Sequence, residues 1–237
     1  MTPPTSTPVT PNSRVALVTG ANSGIGRVTA VELALRGYHV FLACRDAGKT
    51  AEVLDEIAQR SGGTAKAEFI ALDLGDLDSV RQCAQAFNAR QLPLHLLVNN
   101  AGLAGQKGFT KSGFELAFGV CHVGHFLLTR LLLDRLKAAA PSRVVVVASR
   151  AHRHAKSIDF AAVRQPSRSR GGLMDYSVAK LANILFAAEL GRRLAGTGVT
   201  TYALHPGVVG TNVWRSVPWP LDRLVKLFMI DSEEGAK

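Results

Sequence analysis

The residues best suited to moving a proton in this sequence are Tyr176 and Lys180, four positions apart. In a helix, residues spaced i and i+4 lie on one face, so the phenol and the ammonium group would be neighbours. The pKa of an unperturbed tyrosine is about 10, which makes it a poor base near neutral pH. A nearby ammonium group favours the phenolate and lowers that pKa, so the pair predicts general acid–base chemistry. A routine surface contact is the alternative interpretation.

A glycine-rich turn near the start of the sequence suits a bound phosphate. An apolar run at 15–18 is typical of a strand buried on both faces, and residues 28–35 carry the apolar stripe of a helix. Glycine allows positive φ and close approach of backbone N–H groups to a phosphate, and the helix N-terminus adds partial positive charge. This arrangement predicts a dinucleotide-phosphate cradle formed by Gly20, Asn22, Ser23, Gly24, Ile25 and Gly26. The alternative is a tight turn without a ligand, because the TGxxxGxG spacing differs from the common GxGxxG pattern.

Arg45 ends a second predicted strand at 38–44, where a βαβ unit places the group that reads the cofactor's ribose. An acidic side chain at this point would accept hydrogen bonds from a free 2′-hydroxyl. An arginine instead offers a charged fork to a 2′-phosphate. NADP(H) is therefore favoured over NAD(H), and a surface pair between Arg45 and the adjacent Asp46 is the alternative.

Two further strand ends carry candidate cofactor-binding residues. Asp73, after a predicted strand at 67–72, has a carboxylate that would accept from an adenine amino group or cap a helix near 76–89. A predicted strand at 94–98 runs into small and amide residues, which allow close backbone approach and hold neighbouring strands through amide hydrogen bonds. The candidates at these two ends are Asp73, Leu74, Asn100, Ala101 and Gly102.

The predicted elements alternate between strand and helix along the whole chain. A fifth strand at 143–148 ends at Ser149, and a sixth follows at 199–204. This order predicts an α/β fold: one Rossmann domain over 14–237, with a doubly wound parallel sheet and helices on both faces. Residues 1–13, rich in proline and threonine, are expected to form a disordered tail.

Composition excludes several classes of protein. With 237 residues and 47% hydrophobic content the chain suits one globular domain, and no apolar run approaches membrane-spanning length. The three cysteines cannot all pair and match no metal site, which favours a cytoplasmic protein without a metal. The net charge of +10 comes without a nucleic-acid motif, so nucleic-acid binding is disfavoured and a phosphate-bearing cofactor accounts for part of the positive field. The basic segment at 150–172 is interpreted as solvated surface rather than as a site for an anionic substrate or membrane.

Several motifs together resemble the short-chain dehydrogenase/reductase family. They are TGANSGIG at 19–26, NNAG at 99–102, YSVAK at 176–180 with Ser149 upstream, and HPG at 205–207. The stretches ACRD, GHFLLT and SVAKLANILF resemble the retinol dehydrogenase-like branch of that family. The likeness covers residues 14–236.

The resemblance implies a role for each matching residue. Ser149 would hydrogen-bond the substrate oxygen, Tyr176 would be the general acid/base, and Lys180 would lower the pKa of Tyr176 and hold the nicotinamide ribose. The cofactor would also contact Pro206, Gly207 and Thr211. The implied protein is an NADP(H)-dependent oxidoreductase for a lipophilic aldehyde, ketone or alcohol. It would have substrate loops at 150–172 and 208–230, and would form a homodimer or homotetramer.

The sequence departs from the family pattern in two places. Cys121 stands where the family usually has an asparagine that helps to hold a water relaying the proton, and a thiol is a poorer hydrogen-bond partner. Relatives continue past the equivalent of residue 237 with a helix and a strand, so the sheet is expected to lack the family's last strand. Animal relatives often carry an amino-terminal membrane anchor, which the sequence does not show. Cys121 and the early end of the sequence favour a second hypothesis, an NADP-binding protein with weak or no catalysis.

Overall fold

The computed structural model describes residues 14–207, which form one wholly parallel sheet with helices on both faces. Its strands, in the spatial order β3-β2-β1-β4-β5-β6, are β1 Val15–Thr19, β2 His39–Cys44, β3 Ala67–Ala71, β4 Leu96–Asn99, β5 Ser142–Val147 and β6 Val199–Leu204. The strand order reverses between β1 and β4, and ligands bind at such a switch point, beyond the carboxyl ends of the strands. The predicted doubly wound Rossmann fold is confirmed. The expectations for the tail at 1–13, the loop at 208–230 and a missing last strand lie outside the described residues.

The two faces of the sheet pack against different helices because successive strand residues point to opposite sides. On one face, Ala16 and Val18 pack in a core with α1 and α2, and on the other, Val15 and Leu17 pack with α3, α5, α6 and α7. The α-helices are α1 Gly24–Leu35, α2 Ala47–Arg60, α3 Leu77–Ala89, α4 Leu116–Phe118, α5 Gly124–Leu131, α6 Leu133–Ala138 and α7 Leu173–Arg193. Burial on both sides explains why β1 and β2 read as continuous apolar runs.

The helical segment at 116–138 is divided into several pieces. A π-helical turn, Gly119–Val123, separates α4 from α5, and α6 follows after a further break. Gly119 begins this turn and Gly124 follows it directly, and close packing explains why both residues are glycines. A Cβ on Gly119 would lie 2.3 Å from Thr110 Cγ2, and one on Gly124 would lie 2.6 Å from the Leu74 carbonyl oxygen. The segment is thereby held against the end of β3, and π-turns of this kind are frequent at functional sites.

Helix starts also differ from the expectation. The carboxylate that caps α3 belongs to Asp76, which accepts from the Asp78 N–H at 3.0 Å, so Asp73 is not the cap. The last described helix, α7, begins at Leu173, after Gly171 and Gly172 have made a left-handed turn with φ near 70°. Tyr176 therefore lies inside the first turns of α7 rather than at its start. Between β5 and α7 lie three 3₁₀ turns, Arg150–His154, Ala162–Arg164 and Arg170–Gly172.

Candidate active site

The carboxyl ends of the strands border one cavity of about 720 Å³. It brings together nearly all the residues predicted for the site: Gly20, Asn22, Ser23, Gly24, Ile25, Gly26, Arg45, Asp73, Leu74, Asn100, Ala101, Gly102, Ser149, Tyr176, Lys180, Pro206 and Gly207. Thr211 lies outside the described residues. A volume of this size suits a ligand much larger than a single metabolite ring.

The glycine turn has the shape that a dinucleotide phosphate needs. Gly20 and Gly24 have φ of 65° and 53°, and a Cβ on Gly26 would lie 2.3 Å from the Gly20 oxygen and 2.4 Å from Asn100 Nδ2. Ser23, the N-cap of α1, makes no side-chain capping bond, and the first turn of α1 holds no acidic residue. Backbone N–H groups at such a helix start suit an anion, so the residues present fit the nicotinamide dinucleotide implied by the sequence.

Thr19 joins the glycine turn to the NNAG segment. Its Oγ1 accepts from the N–H groups of Asn100 and Ala101, each at 2.9 Å, and Asn100 Nδ2 donates to the Thr19 carbonyl at 2.8 Å. Asn99, one residue earlier, donates through Nδ2 to Thr129 Oγ1 at 2.9 Å. The NNAG amides hold β1, β4 and α5 together, as their residue types predict.

A buried histidine continues this network into the π-helical turn. His125 lies between Thr19 Oγ1, 2.8 Å from Nε2, and the Cys121 carbonyl oxygen, 3.0 Å from Nδ1. A carbonyl only accepts, so Nδ1 carries the proton and Nε2 accepts from the threonine hydroxyl. Burial lowers the pKa of His125 to about 3, which keeps the ring neutral.

The Cys121 thiol is fully buried and does not line the cavity. Its Sγ lies 3.4 Å from the Leu103 N–H and 3.5 Å from the Leu103 carbonyl oxygen, so it bonds to one residue of the neighbouring loop. Burial raises the pKa of this thiol, which keeps it in its neutral, unreactive form.

Arg45 lies exposed at the end of β2 and borders the cavity. The alternative pair with Asp46 does not form among the described residues. Asp46 instead caps α2, accepting from the Lys49 N–H at 3.0 Å, and its carboxylate lies 3.6 Å from Lys49 Nζ. Lys49 and Asp46 also line the cavity, so this part of its wall carries two cations and one carboxylate.

Ser149 is held at the end of β5 by the turn that it begins. Its Oγ accepts from the Ala151 N–H at 3.2 Å, and its carbonyl accepts from His152 Nδ1 at 2.7 Å. A hydroxyl that accepts one hydrogen bond keeps its own proton for another partner. Ser149 is thus positioned as a donor within the cavity.

Burial dominates the electrostatics of Tyr176 and Lys180 in the protein without its cofactor. Burial raises the pKa of Tyr176 to about 12, with the nearby Cys121 adding to the rise and the Ser149 hydroxyl opposing it. Lys180 Nζ donates to the Val147 carbonyl at 2.7 Å and lies 5.4 Å from the tyrosine ring centre. Burial also lowers the pKa of this ammonium. The lysine does not depress the tyrosine pKa in this structure, because desolvation disfavours both charged forms.

Several cavity residues were not singled out from the sequence as members of the site. Lys49 comes from the start of α2, and Arg150, Arg153, His154 and His205 follow β5 and β6. For Arg150 and Arg153, the sequence signal that could have indicated a place in the site is their closeness to Ser149 along the chain. Among residues 14–207, no cluster of acidic, histidine or cysteine side chains could hold a metal, and no helix has the length and apolar character to cross a membrane.

Comparison with known proteins gives concordant matches. The family model for short chain dehydrogenases matches residues 14–219. Human retinol dehydrogenase 12 is 46% identical over 229 residues, which are 94% of this chain and 71% of that protein. Human retinol dehydrogenase 11 is 49% identical over 203 residues, 85% of this chain and 63% of that protein. The solved RhlG/NADP active-site complex of Pseudomonas aeruginosa superposes with a TM-score of 0.67 at 27% identity, covering 85% of this chain and 75% of that one.

Proposed function

The chain belongs to the short-chain dehydrogenase/reductase family, in its retinol dehydrogenase-like branch, and from this premise we propose an NADP(H)-dependent oxidoreductase that interconverts a lipophilic aldehyde or ketone with its alcohol. One observation carries the proposal. The donor Ser149 and the acid Tyr176 line the same cavity as the glycine turn and Arg45. A cofactor held by the turn and a carbonyl held by Ser149 would share that space.

The bound nicotinamide supplies or accepts the hydride, and the protein supplies position and the proton. Ser149, whose Oγ accepts from the Ala151 N–H, would hold the substrate oxygen by donating its hydroxyl proton. In reduction, Tyr176 gives its phenolic proton to that oxygen as the carbonyl carbon becomes a carbinol, and is then reprotonated from solvent. The raised pKa of Tyr176 keeps the phenol protonated at neutral pH, which is the form that reduction requires.

Lys180 has a positioning role in this proposal. Its Nζ is anchored to the Val147 carbonyl of β5 and lies close to Gly102 of the NNAG segment. This anchor, with 5.4 Å between Nζ and the Tyr176 ring centre, supports a role for the ammonium beside the tyrosine. The ribose-holding role implied by the family resemblance is compatible with this location.

The deciding experiment measures NADPH oxidation at neutral pH with a panel of lipophilic aldehydes and ketones. Tyr176→Phe should lower kcat by about 10²- to 10⁴-fold, the usual share of general acid catalysis, while NADPH affinity stays unchanged. Tyr38→Phe is the matched control and should keep full activity. Tyr38 lies just before the amino end of β2, whereas the cavity lies at the carboxyl ends of the strands. Equal activity of the two variants would contradict the role of Tyr176.

The preference for NADP(H) rests on Arg45. Arg45→Gln should lower kcat/KM with NADPH by about 10- to 100-fold, the range expected for losing a charge-assisted contact to phosphate, and should leave kcat/KM with NADH unchanged. Arg36→Gln, an exposed arginine away from the cavity, should change neither value. An equal loss with both cofactors would refute a 2′-phosphate contact.

A second candidate, a cofactor-binding protein with weak catalysis, is favoured by the surroundings of Cys121. Its thiol is fully buried, is bonded to Leu103 and does not line the cavity, so the thiol does not hold a proton-relaying water there. Tight NADPH binding without turnover on the carbonyl panel would support this candidate. Recovery of turnover in Cys121→Asn would then trace the weakness to this position.

A further inference from the structure

Four basic side chains border the cavity beside the catalytic serine, at the carboxyl ends of β5 and β6: Arg150, Arg153, His154 and His205. The first three belong to the 3₁₀ turn Arg150–His154, of which Ser149 is the N-cap. Two hydrogen bonds fix the turn to Ser149. The Ala151 N–H donates to the serine Oγ, and His152 Nδ1 donates to the serine carbonyl oxygen. The basic cluster therefore has a defined position relative to the proposed reaction centre.

The geometry of this turn puts two like charges side by side. In a 3₁₀ helix, side chains at i and i+3 eclipse one another, so Arg150 and Arg153 share one face. Their field reaches the neighbouring strand end: the pKa of His205 is lowered by burial first, and then by Arg150, His152 and Arg153. Adjacent like charges repel, and an anion between them would relieve the repulsion.

Within residues 14–207, no carboxylate neutralises the cluster. Neither Arg150 nor Arg153 forms an ion pair with any described residue. The carboxylates that line the cavity, Asp46 and Asp73, follow β2 and β3 at the far side of the sheet. In the described part of the chain, this end of the cavity thus carries the charges of Arg150 and Arg153 with no carboxylate beside them.

The cofactor's phosphates would lie elsewhere. The glycine turn follows β1 and Arg45 follows β2, whereas Arg150 follows β5, three strand positions from β2. With neighbouring strands about 4.8 Å apart, that separation is about 14 Å. One phosphate cannot contact both Arg45 and the cluster beside Ser149.

We infer that the carbonyl substrate carries an anionic group, a carboxylate or a phosphate, bound by Arg150 and Arg153 while its carbonyl oxygen lies at Ser149. The guanidinium fork binds either group through two parallel hydrogen bonds. A rise of 2.0 Å per residue places the backbone of Arg153 about 8 Å along the turn from Ser149, so one substrate chain can reach from the serine to both arginines. The inference rests on the proposed function and narrows its substrate class to oxo acids or oxo phosphates.

The kinetic test compares straight-chain oxo-octanoates, with the carbonyl at successive carbons, against their methyl esters, each with NADPH. At least one acid should exceed its ester by tenfold or more in kcat/KM, since a charge-assisted contact contributes about that factor. In the double variant Arg150→Gln, Arg153→Gln, the ratio of kcat/KM for the acid to kcat/KM for its ester should fall close to one. Arg168→Gln, an exposed arginine of the same segment outside the cavity, should keep the wild-type ratio. The corresponding oxo-alkyl phosphates distinguish a phosphate from a carboxylate site.

Calorimetric titration of the same acids and esters into the protein loaded with NADP⁺ separates the two proposals, because no hydride is available there. Arginine-dependent binding of the acid without turnover would support the anion subsite and contradict the proposed reaction. Equal turnover and equal binding of acid and ester would overturn the subsite and leave the reaction intact. Binding of neither would overturn the subsite, whatever the outcome on neutral carbonyls.

Discussion

At the scale of single residues, burial controls the proton chemistry of the site. Tyr176 and Lys180 are 7% and 3% exposed, and burial moves both pKa values toward the neutral forms. An ammonium that already donates to the Val147 carbonyl stabilises a distant phenolate less than an uncommitted one would. In the protein alone, burial therefore favours the protonated phenol and the neutral amine.

The raised pKa predicts opposite pH dependence in the two directions. With a pKa of about 12, Tyr176 stays protonated through neutral pH, so kcat/KM for carbonyl reduction should be flat between about pH 6 and pH 9. Alcohol oxidation needs the phenolate, whose fraction grows tenfold per pH unit below the pKa, so its kcat/KM should rise over the same range. Steady-state profiles in both directions check this. A reduction rate that falls tenfold per unit above about pH 7 would mean that the bound cofactor and Lys180 bring the tyrosine pKa down near 7.

At the scale of elements, the broken helix at 116–138 connects the cofactor cavity to the core. Its π-helical turn carries Cys121, and Gly124 at the start of α5 lies against the backbone of Leu74, which lines the cavity. Backbone cannot move aside as a flexible side chain can. The glycine is thus required by the approach of two elements rather than by its own φ, which is −60°.

Gly124→Ala should destabilise the protein by about 1–3 kcal/mol, because its Cβ would meet the Leu74 carbonyl oxygen at 2.6 Å. NADPH affinity should fall as well, since Leu74 must shift. Urea unfolding and an NADPH titration measure the two effects. Gly48→Ala in α2 is the control: its Cβ would meet only Asp46 Oδ1, at 3.5 Å, so stability should hold or rise by up to about 1 kcal/mol. Similar losses in both variants would contradict a steric origin.

At the scale of the whole molecule, two buried histidines and one half-buried histidine link different parts of the fold. His39 contacts Glu68 of β3, with 2.8 Å between Nε2 and Oε1, His122 contacts Asn183 of α7 at 3.1 Å, and His125 joins β1 to the π-helical turn. Burial is the leading cause that lowers the pKa of each ring. The folded state therefore holds these histidines neutral at a pH where the unfolded chain would protonate them.

Acid should destabilise the fold through these groups. For His125 the pKa is about 3 in the folded protein against 6.5 ordinarily, so its contribution is complete above pH 6.5 and is lost as the pH falls from 6.5 towards 3. For each histidine, the free energy of unfolding should change by at most about 1.4 kcal/mol per pH unit. Urea unfolding at about pH 7 and pH 5 measures it, and His125→Gln should flatten the slope, whereas the exposed His154→Gln should not. Unchanged slopes in both variants would show that His125 does not contribute.

Much of the fold and of the candidate site follows from local patterns. The six strands were predicted in order and nearly to their ends. For β1 and β2 the reason is that a strand buried on both faces has a continuous apolar sequence. The cofactor-binding candidates meet in one cavity because each was chosen at the carboxyl end of a parallel strand, and these ends share one edge of the sheet. The lysine at position 49 was missed because it enters the cavity from the following helix.

The sequence by itself determined the family, the doubly wound sheet and the order of the motifs, since these depend on residue types at short spacing. Only the tertiary structure decided the protonation tendency of Tyr176, the use of Cys121 and the grouping of Arg150 with Arg153 in the cavity. The Cys121 thiol contacts Leu103, 18 positions away, and Lys180 contacts Val147, 33 positions away. Burial and such distant contacts set pKa values and cavity walls, and they exist only once the chain has folded.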